Sequence, residues 1–65
     1  MTSSDREALR RHLETLGMYG RDLKYKDVEK LISALNRSGE QKLADHIQRL
    51  DHFTTVTDFL RRNVA

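Results

Sequence analysis

Two apolar stripes on either side of one small corner constrain this chain more than any other feature. Val28, Leu31, Ile32 and Leu35 recur at helical spacing before Asn36-Arg37-Ser38-Gly39, and Leu43, Ala44, Ile47 and Leu50 recur after it. Each set falls on one side of its helix, and short helices of this kind gain most of their stability by burying that side. The stretch Lys26 to Leu50 therefore reads as two amphipathic helices folded back on each other. The remaining chain must cover what that hairpin leaves open.

There is little chain to do so. With 65 residues the expectation is one helical domain, residues 1–65, near the size at which a core alone barely stabilises a fold. Every helix must then feed the same core. The absence of proline and the presence of only three glycines favour long helical stretches with short connections. No cysteine is present, which rules out disulfides and zinc-thiolate sites and leans toward a cytoplasmic setting. The longest apolar run is two residues, too short for a membrane span or a signal-peptide core, so a soluble chain with no membrane partner is expected. Met1 and the nearly tail-free ends favour the expectation of a complete protein over an excised domain.

Along the chain, Ser4 with Glu7 three residues later has the capping-box spacing, so the first helix is expected to start there and run to about Leu16. Leu9, Leu13 and Leu16 share one face, with Arg10, Arg11 and Glu14 outside, and Glu7 and Arg11 are placed for an i,i+4 pair. Gly17 is the natural left-handed stop, with Met18 folding back onto the helix end. Residues 18–24 lack a period and form a connector held by Tyr19 and Leu23. The second helix spans Tyr25 to Ser38 and stops at Gly39.

The third helix opens at Glu40 and carries Leu43, Ala44, Ile47 and Leu50 inward. Threonines at 54, 55 and 57 are poor helix formers but good caps, so a short fourth helix is expected over Thr55 to Arg62. It buries Val56, Phe59 and Leu60, with Phe53 as a plug at its entry. One bent helix from Glu40 to Asn63 is the alternative. The fold expected is all-α: a small compact antiparallel bundle of three main helices plus a short C-terminal fourth helix. Its core comprises Leu9, Leu13, Leu16, Val28, Leu31, Ile32, Leu35, Leu43, Ile47, Leu50, Phe59 and Leu60.

Enzymatic chemistry finds no foothold in these residues. The three histidines, His12, His46 and His52, lack the spacing that puts two imidazoles on one ion, so no metal is expected, and they read as boundary or surface packing. No serine sits in a glycine-bracketed nucleophile elbow, and the single glycines of Tyr19-Gly20-Arg21 and Arg37-Ser38-Gly39 mark turns, not phosphate loops. A chain of this size is not expected to enclose a pocket of ordinary ligand size. No catalytic residue, no cofactor and no enzymatic activity are expected.

Surface charge is the remaining source of function. Twelve Lys and Arg against ten Asp and Glu give a net charge of +2, dense in charge and nearly balanced in sign. On the second helix Lys26, Lys30 and Arg37, with Ser33 between them, lie opposite the apolar stripe and form a basic outer face. Such a face either keeps the helix solvated or docks a protein partner with an acidic surface, with Arg37 the better anchor through its planar fork. Asp22, Asp27, Asp45 and Asp51 offer a patch of opposite sign, which would permit self-association.

The alternative is a DNA-binding transcriptional regulator of helix-turn-helix type, since two helices joined at a glycine corner have that outline. The third helix would then present Gln41, Lys42, Asp45, Gln48 and Arg49 to the major groove. Glu40 and Asp45 oppose phosphate, and the near-neutral charge leaves little non-specific attraction to nucleic acid. A protein-interaction module, adaptor or inhibitor, is the preferred reading.

Residues His12 to Leu50, HLETLGMYGRDLKYKDVEKLISALNRSGEQKLADHIQRL, resemble the second half of death-fold domains, in particular death-effector domains. There a helix, a short loop, a helix of the form L-x-x-L-L-x-x-L, a small-residue corner and a further helix follow in this order. The resemblance implies a non-enzymatic adaptor that binds like domains through charged helical surfaces. The family's arginine-containing motif finds no match here, so no functional residue is carried over.

Overall fold

The computed structural model describes residues 1–64. Four helices make up the fold: α1 (Ser3–Thr15), α2 (Tyr25–Arg37), α3 (Gln41–Gln48) and α4 (Phe53–Val64), and no strand occurs among the described residues. α2 packs most extensively against α3, while α1 packs against both α4 and α2. The all-helical bundle inferred from the stripes is the observed architecture.

Each helix end has a local cause. α1 starts earlier than expected because Thr2, not Ser4, is its cap: the Asp5 amide donates to Thr2 Oγ1 at 3.1 Å and the Thr2 amide to Asp5 Oδ2 at 3.4 Å. Aspartate performs in this capping box the part usually taken by glutamate. α1 and α2 end alike. Gly17 (φ 72°) and Gly39 (φ 81°) each take up the left-handed conformation that closes a Schellman motif. The Met18 amide donates to the Leu13 carbonyl and the Glu40 amide to the Leu35 carbonyl, each at 2.8 Å. Met18 is thereby turned inward and buried, as its position predicts.

The region after α3 departs most from expectation. α3 stops at Gln48, and the Leu50 amide bonds the Ile47 carbonyl, so residues 49–52 separate two helices and the single bent helix is excluded. α4 begins at Phe53, two residues before Thr55, with the Val56 amide bonded to the His52 carbonyl, and it continues through Val64. Of the three threonines, Thr57 is accommodated by donating its Oγ1 to the Thr54 carbonyl at 2.9 Å within the helix. Phe53 is not a plug. It is 38% exposed and its ring lies 6.2 Å from that of Tyr25.

Leu9, Leu31, Leu35 and Ile47 are the most completely buried large side chains, one or two from each of the first three helices, and Val56 and Leu60 complete the core from α4. Leu13, Val28 and Leu43 are buried with them. Leu16, Ile32, Leu50 and Phe59, expected in the core, are only half-buried at its edge. These four lie near helix ends or on stripe flanks, where so few layers cannot cover a large side chain on all sides. Ala34 is buried instead, an inward position that its small size concealed in the sequence. No buried polar residue occurs among the described residues, so the core is held by apolar burial alone.

Candidate functional site

The first turn of α2 is built around Asp27. Its carboxylate accepts from the Lys24 amide at 2.8 Å and from Arg21 Nη1 at 3.2 Å, while Arg21 Nε donates to the Gly17 carbonyl at 2.9 Å. One guanidinium thus ties the end of α1, the connector and the start of α2 together. The Lys24 amide, then the Arg21 hydrogen bond, holds the Asp27 carboxyl below its ordinary value. Asp27 is thereby committed to its own chain. It cannot contribute to the acidic patch suggested with Asp22, Asp45 and Asp51, which are exposed.

The basic outer face of α2 stands as the helical spacing requires. Lys26, Lys30, Ser33 and Arg37 are all exposed. Among the described residues the cations with a carboxylate within 4.0 Å are Arg10 (Glu14, 3.9 Å), Arg21 (Asp27, 3.2 Å) and Arg61 (Asp58, 3.7 Å). Lys26, Lys30 and Arg37 have no such partner. The same holds for Arg11, because the anticipated Glu7–Arg11 pair does not form. The ion pair on that helix joins Arg10 and Glu14, and the Arg10 guanidinium also lies 5.9 Å from the centre of the Tyr19 ring.

Gln41, Lys42 and Gln48 on α3 and Arg49 at its C-cap are exposed, as a recognition helix would need, and so is Asp45 in their midst. The helix has eight residues. His46 rests its ring 4.8 Å from that of Phe59, closing the seam between α3 and α4, which is the packing role its position predicts.

Two surface grooves escaped sequence reasoning. A groove of about 490 Å³ lies between the connector and α4. Leu13, Met18, Leu23, Leu60 and Val64 line it, with Tyr19 and Phe53 at its rim and Arg21, Asp22 and Arg61 at its polar edge. It has the volume of an ordinary ligand pocket, which the chain length argued against, and it is an open trough. Tyr19 is 43% exposed on this rim, so it is not the core contact assigned to it.

The second groove, about 280 Å³, runs between α1 and α2. It is lined by Arg11, His12, Thr15, Leu16, Ala34, Arg37 and Ser38. Arg11 and His12 come from one helix and Arg37 from another, and that convergence has no signature in local sequence. The one available signal was Ala34, whose lack of bulk leaves room between the helices.

Compared with protein-family models, with curated proteins and with solved structures, the chain matches none. Among the described residues no helix is long and apolar enough to cross a membrane.

Proposed function

We propose that this chain is a non-enzymatic protein-interaction module, an adaptor or inhibitor that docks an acidic partner on the outer face of α2. The observation that carries this reading is the contrast among its cations. Arg10, Arg21 and Arg61 each pair with a carboxylate of the chain, whereas Lys26, Lys30 and Arg37 are aligned on one exposed stripe with no ion-pair partner within 4.0 Å among the described residues. An unsatisfied row of like charge on a rigid helix steers an oppositely charged surface and fixes its register. The packed inner stripe of the same helix provides the rigidity. The likeness of residues 12–50 to death-effector domains supports the same class of function, and the cytoplasm suits it.

A second reading, DNA binding through α3, is favoured by the exposure of Gln41, Lys42, Gln48 and Arg49 just beyond the Gly39 corner. Against it stand Asp45 in the middle of that face and a helix only about 12 Å long at the usual rise per residue. Titrations with duplex DNA and with a Glu-rich peptide, each at low and moderate salt, separate the two. The interaction module binds the peptide and shows little affinity for DNA. Tight DNA binding that falls steeply with salt would replace the first reading by the second.

A further inference from the structure

We infer that the groove between α1 and α2 is a phosphomonoester site, taking a phosphorylated serine or threonine of the partner that docks on α2. The inference rests on the docking reading above and adds to it the chemistry of one contact.

The groove's polar lining consists of hydrogen-bond donors and cations. Arg11 and Arg37 bring two guanidinium forks from two helices, His12 an imidazole, and Thr15 and Ser38 two hydroxyls, and among the described residues no carboxylate lines it. None of these five side chains makes an ion pair or a hydrogen bond within the chain among the described residues. The donors are therefore uncommitted while sharing one recess.

The bland account is that Arg37 and His12 sit in the last turns of α2 and α1 to offset the helix dipoles. That explains their places in the helices. It does not explain Arg11, nor why the ends of both helices meet at one recess. Six of the carbonyls at these helix ends already accept backbone amides: His12, Leu13 and Glu14 accept from the amides of Leu16, Met18 and Gly17, and Ala34, Leu35 and Asn36 accept from those of Ser38, Glu40 and Gly39. The five side chains cap none of the remaining carbonyls among the described residues, so their donors are open to an external anion.

Charge selects the anion. Arg11 and Arg37 supply two fixed positive charges, and a phosphomonoester carries about −1.5 to −2 with three acceptor oxygens, whereas a carboxylate offers one charge and two oxygens. Ala34, buried at 8% exposure, and Leu16 give the recess an apolar floor on which the methylene of a phosphoserine can rest. A nucleic-acid backbone fits less well, since it needs a track of cations at phosphate spacing, and the cations here converge on one recess.

The test uses the full chain and five probes: a short peptide of glycine and alanine carrying one phosphoserine, its two counterparts with serine or glutamate in that place, a Glu-rich peptide, and duplex DNA. Affinities are measured alongside two-dimensional amide NMR for the parent, for Arg11→Gln, and for Lys26→Glu/Lys30→Glu. The phosphoserine peptide is expected to bind at least about tenfold more tightly than its serine and glutamate counterparts, the scale of one charge-assisted contact. Shifts should centre on residues 11–15 and 37–38. Arg11→Gln should erase that advantage, leave the Glu-rich peptide's affinity unchanged and keep the parent melting temperature, because Arg11 has no internal partner. If the phosphate gives no advantage, or Arg11→Gln does not remove it, the phosphate site is overturned. The docking face still stands in that case if Lys26→Glu/Lys30→Glu abolishes binding of the Glu-rich peptide. Preference for DNA over both peptides overturns the site in favour of a nucleic acid, and no binding by any probe overturns both readings.

Discussion

The Asp27 carboxylate holds the Arg21 guanidinium at 3.2 Å across six residues of chain, and through that single contact the connector is fixed to the start of α2. Arg21 in turn reaches the Gly17 carbonyl, so the wall of the connector groove and the base of the basic helix are parts of one network. Any account of how this small surface keeps its shape begins there.

The network makes stability depend on acid. The folded state holds the Asp27 carboxyl below its ordinary value of 3.8, so the unfolded chain binds the proton more readily. The contribution of Asp27 is therefore fully present above about pH 4 and is lost as pH falls through the folded-state value. Asp27→Asn should melt below the parent at pH 7, and the gap should narrow toward pH 2. A gap that stays constant over that range would show that the carboxylate charge is not what holds the turn.

Core truncation should be severe in so small a fold. Leu31 is fully buried and Ile47 is 1% exposed, and both belong to the single core cluster. Leu31→Ala or Ile47→Ala should cost about 2 to 5 kcal/mol, a large part of what a chain of this size possesses. Urea titration measures it directly. A midpoint within error of the parent for either variant would remove that residue from the core.

The two helix stops can be tested without disturbing packing. A Cβ added at Gly17 or Gly39 would meet no atom within 4 Å, so alanine there costs only the strain of a positive φ. The expected loss is about 1 to 2 kcal/mol for Gly39→Ala, with asparagine better tolerated than alanine at the same position. Thermal melts of the alanine and asparagine variants give the comparison. Equal stability of alanine and glycine would mean that the corner is not held in the left-handed conformation.

These effects also mark what the sequence made legible. The stripes of α2 and α3 and the stops at Gly17 and Gly39 were readable because periodicity and left-handed glycines are local signals. Thr2 was missed as the cap because two overlapping boxes, Thr2 with Asp5 and Ser4 with Glu7, compete within one turn, and sequence does not rank them. The start of α4 was misplaced because weak threonine propensity was overridden by the burial of Val56 and Leu60. On the surface, the exposure of Lys26, Lys30 and Arg37 followed from spacing on one helix. The commitment of Asp27 to Arg21, and the convergence of Arg11 with Arg37, follow from how separate elements meet, which no local pattern records.

The α2 face is tested most directly by the affinity of a synthetic Glu-rich peptide for the parent and for Lys30→Glu/Arg37→Glu, with melting curves recorded on both proteins. Both side chains are exposed and make no ion pair among the described residues, so the double variant should stay folded, with a melting temperature lowered only modestly because glutamate at position 37 opposes the α2 dipole and glutamate at position 30 lies near Asp27. Binding should fall by about tenfold or more as two attractive charges become repulsive. Undiminished binding by a folded double variant would contradict the claim that this helix face is the docking surface.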